Sequence, residues 1–474
     1  MINDFDNIYK IIKLYDSAIS VDEAADILEK ISEDTLDIYR CRKREHYLLE
    51  KDSLLKQFSP HLGCIKSWCK TEECERCIVN KWCNHYRNNR QNDSYNQIAP
   101  TYADFFCGSG GLSLGFHMAG YKLSLANDIE ECCIDTLALN HPETPGQHII
   151  RGDINDVIAD INNISRYDTV DIVIGGPPCQ GFSMANRQRI IDDPRNHLYK
   201  SFIEAVSVLK PSFFVMENVR GMLSAKEQIV EDFAKIGYSS EARLLNANDF
   251  GIPQNRERVI FIGNRINIDN EQIFEEIEKA SNVKPKRSLS VAIDDLPKLQ
   301  AKRVKNTTEK DDELSGSTCS INHCMENSND YINEINDGIK AQLIFNHKAR
   351  YNNARDIEIY SRLNPGDNSS DPKIADIMPY NRRAKIFKDK YYKLEPDKPC
   401  KTITAHMKYD CNMYIHPYQA RGLTPREAAR VQSYPDWYFF SGAYTKTYMQ
   451  VGNSVPPLLS KIIATVLKKY IEEV

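Results

Sequence analysis

The stretch DIVIGGPPCQGFS, residues 171–183, carries one thiol, Cys179, on a segment built to be stiff. Gly175 and Gly176 permit an unusual backbone path, and Pro177 and Pro178 then fix φ. A buried structural cysteine needs no such platform, so Cys179 reads as a nucleophile presented to a cleft. Sulfur suits one problem in particular. C5 of cytosine is a poor carbon nucleophile until a group adds at C6 and turns the ring into an enamine. A thiolate can add there and later leave, dividing one hard step into easier ones. Downstream, Glu217 and Asn218 end the apolar run FFVMENV. A protonated Glu217 would donate to ring N3 and stabilise the charge that attack places on the ring. That role needs a raised pKa, which a closed, dry pocket favours. QNRERV adds Arg256 and Arg258, whose guanidinium groups can grip the ring O2 and orient Glu217.

A second constellation lies upstream. In DFFCGSGGLSLGF, Gly108, Gly110 and Gly111 stand between a strand pattern and a helix pattern. Glycines there let backbone approach a ligand closely, and the helix N-terminus that follows favours polar or anionic groups. Position 113 is serine, so the nicotinamide fingerprint G-x-G-x-x-G fails. Asp128 ends the next strand pattern, where a carboxylate holds ribose hydroxyls. Asp153 ends the third and could accept from an adenine amino group. The loop and its two carboxylates therefore point to a nucleoside cofactor.

The elements that must position these groups are legible from Tyr102 onward. YADFF, KLSLAND, HIIRGD, DIVIGG, SFFVMEN and RVIFIGN are short, apolar and rich in β-branched or aromatic residues, with helical spacing between most of them. That alternation predicts an α/β chain with a mainly parallel, doubly wound, Rossmann-like sheet. Such sheets bind ligands outside the carboxyl ends of their strands, where Gly108, Asp128, Asp153, Cys179 and Glu217 all fall. Residues 1–97 read as a helical, cysteine-rich extension, opened by a capping-box pattern at Ser20–Glu23. Residues 101–265 read as the catalytic domain, residues 266–415 as an irregular, polar region, and residues 416–474 as a return to the catalytic domain.

Composition narrows the setting. The chain has 474 residues, of which 41% are hydrophobic and 27% charged, as in soluble globular proteins. Its N-terminus alternates apolar and charged residues, unlike a signal peptide, and no apolar run of roughly 18 residues exists to span a membrane. Fourteen cysteines without a secretion signal read as thiols and metal ligands in a reducing cytoplasm. A net charge of −5 excludes a uniformly basic coat, so a nucleic-acid partner needs a local basic face. Two segments offer one: residues 282–305 hold seven Lys/Arg against two Asp, and residues 381–393 hold six against one.

Taken in order, DFFCGSGG, GDI, GGPPCQGFS, ENV, IPQNRERV, RGLTPREAARVQSYPD and QVGNSVPP resemble the motif set of the DNA (cytosine-5) methyltransferase family. The resemblance runs from Tyr102 to the C-terminus, interrupted by residues 265–415. It implies S-adenosylmethionine as methyl donor, with Phe106, Gly108, Gly110, Asp128 and Asp153 lining its pocket and Asn453 and Ser454 closing it. It implies Cys179 as nucleophile, Glu217 as the acid at N3, and Arg256 and Arg258 as orienting cations. Asp128 departs from the glutamate frequent in the family, but a shorter carboxylate can still reach a ribose. Arg426, Glu427 and Arg430 would form internal salt bridges, and the final helix would fold back onto the start of the sheet. The variable span would be a target-recognition domain reading double-stranded DNA, and the target base would flip out of the stack. The implied partner is a restriction endonuclease acting on the same site. The tRNA-methylating branch of the family and a catalytically silent DNA-binding homologue are the alternatives.

A final cluster stands outside that pattern. GCIKSWCKTEECERCIVNKWC places Cys64, Cys69, Cys74, Cys77 and Cys83 close together. The C-x2-C-x5-C end resembles the iron–sulfur loop of helix-hairpin-helix DNA glycosylases, although four residues rather than six precede its C-x2-C. Cys69, Cys74, Cys77 and Cys83 would suit a [4Fe–4S] cluster or a structural zinc.

Overall fold

A computed structural model describes residues 99–472, apart from 142–143, 145–147, 164–169, 179–197, 309, 322–328, 339–342 and 380–389. The N-terminal capping-box pattern and the cysteine cluster lie outside the described residues. The described chain divides into two compact units, residues 99–286 with 454–472, and residues 287–453.

The first unit alternates strand and helix: β1 (Thr101–Phe105), α1 (Gly111–Met118), β2 (Lys122–Asp128), α2 (Glu131–Asn140), β3 (Ile149–Arg151), α3 (Ile154–Asn163), β4 (Ile172–Gly175), α4 (Leu198–Leu209) and β5 (Phe213–Val219). There follow α5 (Lys226–Lys235), β6 (Ser239–Asn246), the short β7 (Gln254–Asn255), β8 (Glu257–Asn264) and α6 (Asn270–Asn282). Seven of the strands form one sheet in the order β3-β2-β1-β4-β5-β8-β6. The first five pair in parallel, and β8 runs antiparallel to both β5 and β6. The six strand patterns read from sequence are β1–β5 and β8. β6 escaped because SSEARLLN lies at the sheet edge with only Ala242 and Leu245 buried, too few for an apolar run.

The strand order reverses between β1 and β4, and a reversal opens a crevice at the carboxyl ends of the strands. The glycine loop leaves β1 and the Pro-Pro loop leaves β4, so the topology puts both loops at that point. Beneath them, Phe202, Phe214, Phe233 and Tyr238 fill one side of the core, with the Phe214 and Phe233 rings stacked 3.8 Å apart. Truncating Phe233 would cost about 3–5 kcal/mol through lost burial and a cavity.

The C-terminal helix, Pro457–Glu472, packs against α1 as expected. A Cβ on Gly115 would lie 2.3 Å from Ser460 Cβ, so the two helices meet through the absent side chain. Ser460 Oγ also donates to the Leu112 carbonyl at 2.6 Å, and Tyr121 Oη to the Ala464 carbonyl at 3.1 Å. The last segment of the chain thus braces the helix that follows the glycine loop.

In the second unit, β9 (Gly316–Ile321) and β10 (Leu343–Lys348) form an antiparallel pair, followed by α7 (Ala354–Arg362), α8 (Pro425–Val431) and α9 (Tyr444–Asn453). Thr424 and Glu427 make a reciprocal capping box at the start of α8. The charged face of α8 is turned wholly inward. Glu427 accepts from Arg421 at 2.7 and 2.6 Å, and Arg430 pairs with Asp436 at 2.6 Å and Asp295 at 2.5 Å. Arg426 instead donates to the carbonyls of Phe345, Pro435 and Tyr438. Burial would raise the Glu427 carboxyl, but Arg421 wins and holds it well below the usual carboxylate range. Burial pushes nearby His416 down to about 3 and His347 to about 4, so both stay neutral at physiological pH.

The two basic segments are only partly available to phosphate. Lys302 is buried and pairs with Asp312 at 2.7 Å, while Arg287 pairs with Glu334 at 2.7 Å. Lys393 donates to the Tyr360 and Leu363 carbonyls at 2.9 and 2.8 Å, closing the C-terminus of α7. Residues 381–389 lie outside the described residues.

Candidate active site

The glycine loop is held in a conformation that few residues tolerate. Phe106, Gly108 and Gly110 have φ of 56°, 53° and 77°. The left-handed geometry is strained at Phe106, by about 1–3 kcal/mol, and unstrained at the glycines. Backbone bonds fix the turn: Cys107 N–H donates to the Asn127 carbonyl at 3.0 Å, and Gly110 N–H to the Cys107 carbonyl at 2.9 Å. Asp128 joins three strand ends. Its Oδ2 accepts from Gly108 N–H at 2.8 Å, its Oδ1 from Glu130 N–H at 2.8 Å, and its carbonyl from Gly152 N–H at 3.1 Å. Burial raises its carboxyl, against those two amides. Asp153 stands exposed after β3, with Oδ1 accepting from the Asn155 backbone and side chain at 2.9 Å each.

Asp104, at the end of β1, is a residue that the sequence reading passed over. It is 1% exposed; Oδ2 accepts from Ser113 Oγ at 2.6 Å and Oδ1 has no partner among the described residues. Burial pushes its carboxyl up to about 8, against the Ser113 hydrogen bond and helped by the charge of Asp128. A lone acid inside an otherwise apolar strand, just before the glycine loop, was the available signal.

The donor set fits a nucleoside cofactor bearing a charged tail. A Cβ added at Gly108 or at Gly152 would meet nothing within 4 Å, so open space adjoins both loops. Asp128 ends β2 and Asp153 follows the neighbouring β3, so two acidic side chains stand at these strand ends.

On the other side of the strand-order reversal, Glu217 and Arg258 form an ion pair, with Arg258 Nε 2.8 Å from Glu217 Oε1. Glu217 is 8% exposed. The β5–β8 register places Val219 opposite Arg258 and Glu217 opposite Ile260, close enough for the guanidinium to reach the carboxylate diagonally. Gly176 approaches the same carboxylate: a Cβ there would lie 3.2 Å from Glu217 Oε2. Asn218, which sequence placed in this cleft without a role, donates through Nδ2 to the Pro177 carbonyl at 2.9 Å. Cys179 lies outside the described residues, whose course along this loop ends at Pro178.

The second expected cation is placed differently. Arg256 precedes β8, is 1% exposed, and donates through Nη2 to the Ser454 carbonyl at 2.8 Å. Its main chain is held too, with N–H donating to Asn246 Oδ1 at 3.2 Å. Ser454 is itself 8% exposed, whereas Asn453 ends α9 and belongs to the second unit by packing.

Cys69, Cys74, Cys77 and Cys83 lie outside the described residues; among the described residues no group of three or more His, Cys, Asp or Glu could hold a metal ion. Cys107, Cys132, Cys133, Cys400 and Cys411 are buried thiols outside any disulfide among the described residues. No described helix is long and apolar enough to cross a membrane.

Residues 101–469 match the family model described as C-5 cytosine-specific DNA methylase. The chain is 34% identical over 399 residues to the type II methyltransferase M.DdeI of Desulfomicrobium norvegicum, spanning 78% of this chain and 89% of that protein. It is 35% identical over 381 residues to the type II methyltransferase M1.HphI of Haemophilus parahaemolyticus, spanning 78% and 87% respectively. Among solved structures, one described as a DNA modification methyltransferase encoded within an E. coli prophage superposes with a TM-score of 0.59. That match has 25% identity over 79% of this chain and 100% of the other. The chain belongs to the C-5 cytosine-specific DNA methylase family.

Proposed function

We propose that this DNA cytosine-C5 methyltransferase, the modification enzyme of a restriction–modification system, works through Cys179, Glu217 and Arg258, with S-adenosylmethionine as methyl donor. The observation that carries the reading is the Glu217–Arg258 pair at 2.8 Å, beside a Pro177 carbonyl held by Asn218. Phe106, Gly108, Gly110, Asp128, Asp153 and Ser454 would hold the donor, which when bound supplies an electrophilic methyl group on a sulfonium.

The Cys179 thiolate adds to C6 of a cytosine flipped out of the duplex, forming an S–C6 bond and moving an electron pair towards C5. Glu217 supplies a proton at N3, and Arg258 keeps its carboxyl oriented towards the ring. C5 then takes the methyl group and gives up its proton to a water molecule, the S–C6 bond breaks to return the thiolate, and N3 returns its proton to Glu217. Arg256 acts at one remove, by holding the Ser454 carbonyl. Type II relatives favour DNA over tRNA as substrate. A restriction endonuclease acting on the same sequence is the partner this reading implies. A metal on Cys69, Cys74, Cys77 and Cys83 rests on their spacing alone, since the family match begins at residue 101.

The test is to incubate the enzyme with methyl-labelled S-adenosylmethionine and either duplex DNA or tRNA, then digest to nucleosides. Label in 5-methyldeoxycytidine is the expected result. Label confined to RNA, or on an exocyclic nitrogen of a DNA base, would overturn the reading.

A further inference from the structure

The second unit carries an exposed aromatic that its surroundings do not explain by packing. Tyr409 is 66% exposed and caps the 3-10 helix Ala405–Lys408. The backbone beneath it is held unusually firmly. Arg350 donates to the Met407 carbonyl at 2.9 Å and to the Tyr409 carbonyl at 2.8 Å, so one guanidinium clamps both ends of the turn. On the other flank Gly452 lies flush with the strap: a Cβ there would be 2.1 Å from Ala405 N and 2.2 Å from Thr404 C. Met407 is fully buried and points inward, leaving His406, Lys408 and Tyr409 directed outward.

Those three side chains form one surface. Lys408 Nζ stands 4.9 Å from the Tyr409 ring centroid, and the His406 ring lies 5.4 Å from the same ring. Lys408 makes no ion pair among the described residues. Asp410, the next residue along the chain, has one oxygen engaged by Asn412 N–H at 3.1 Å and the other 3.9 Å from His406 Nε2. Tyr418, which is 58% exposed, makes the contrast: Asp294 and Asp397 lie near it and raise its hydroxyl after burial does. Acidic neighbours repel a polyanion; a lysine without an ion pair, held against an outward ring, does the reverse. Because the strap is braced before anything binds, little ordering entropy opposes docking.

We propose that His406, Lys408 and Tyr409 form a DNA contact platform, in which Lys408 neutralises a backbone phosphate and the Tyr409 ring packs against a sugar or base. The proposal rests on the DNA-methylating reading above and names where this unit touches that substrate. A net charge of −5 makes such local cationic surfaces necessary, and the buried lysines at 302 and 393 cannot supply them.

The experiment measures affinity of the full-length protein for a mixed-sequence DNA duplex across a salt series, by fluorescence anisotropy. Tyr409→Ala should weaken binding about tenfold, with Tyr409→Phe restoring most of it. Lys408→Gln should weaken binding and lower the slope of log affinity against log salt by about one. Tyr418→Ala is the control and should bind as wild type. Wild-type affinity and slope in both the Tyr409→Ala and Lys408→Gln variants would overturn the platform. A wild-type protein that forms no 5-methyldeoxycytidine would instead overturn the reading on which it rests, so the two failures are separable.

Discussion

Asn218 Nδ2 donates to the Pro177 carbonyl across 2.9 Å, tying the end of β5 to the Pro-Pro segment that leaves β4. Asn218 is 3% exposed, and its Oδ1 in turn accepts from Val219 N–H at 2.9 Å, so the amide is fixed at both ends. Strand β5 therefore positions two things at once: the Glu217 carboxylate by its own register, and the Pro177 carbonyl beyond β4 by the Asn218 side chain.

Removing that tie should cost turnover more than stability. Asn218→Ala is expected to lower kcat roughly 10- to 100-fold through a misplaced nucleophile, while donor affinity stays unchanged. The stability loss should be about 1 kcal/mol, the worth of one buried hydrogen bond. Steady-state kinetics with donor titrations decide it. An unchanged kcat would mean the loop is held by something else.

The covalent step has its own signature. Cys179→Ser should abolish methylation while the protein still binds DNA. A duplex carrying 5-fluorocytosine at the target should trap the wild-type enzyme as an adduct stable to denaturing electrophoresis, because fluorine cannot leave as the C5 proton does. Substantial turnover by the serine variant would reject Cys179 as the nucleophile.

Asp104 makes stability depend on pH in a definite direction. Its carboxyl titrates near 3.8 in an unfolded chain and is pushed up to about 8 in the fold, chiefly by burial. Between those values the native state keeps a proton that the unfolded chain has released. The contribution therefore falls as pH rises from about 4 to about 8, by up to roughly 1.4 kcal/mol per pH unit, and is flat above. Asp104→Asn, which can still accept from Ser113, should lose less stability than wild type between pH 5 and pH 8. Urea unfolding at several pH values gives the comparison, and parallel curves for the two proteins would contradict it.

The cysteine cluster predicts bound metal in protein purified without chelators or oxygen. Iron with visible absorbance, or zinc without it, should be found by elemental analysis and should be lost on Cys74→Ser together with Cys77→Ser. Metal-free protein would leave these cysteines without that role.

The strand patterns were legible where both faces are buried, as in DIVIGG and SFFVMEN, because a central parallel strand is apolar throughout. β6 was not, because an edge strand of an antiparallel pair keeps polar residues on its open side. Asp104 was hidden for the opposite reason: burial, rather than residue type, gives it an unusual proton affinity.

The identity and order of the candidate groups came from sequence alone: a thiol after two prolines, an acid at the end of the next strand, arginines beyond, and glycines upstream. Chemistry of this kind demands particular residue types, so the types declare it. Tertiary structure alone decided which arginine meets Glu217. Arg256 and Arg258 are two residues apart, yet β8 begins at Glu257, so only Arg258 enters the ladder beside β5. Arg256 sits before the ladder and turns to the Ser454 carbonyl. A side chain's direction follows from strand register and from what packs behind it, and neither is written in the spacing of two letters.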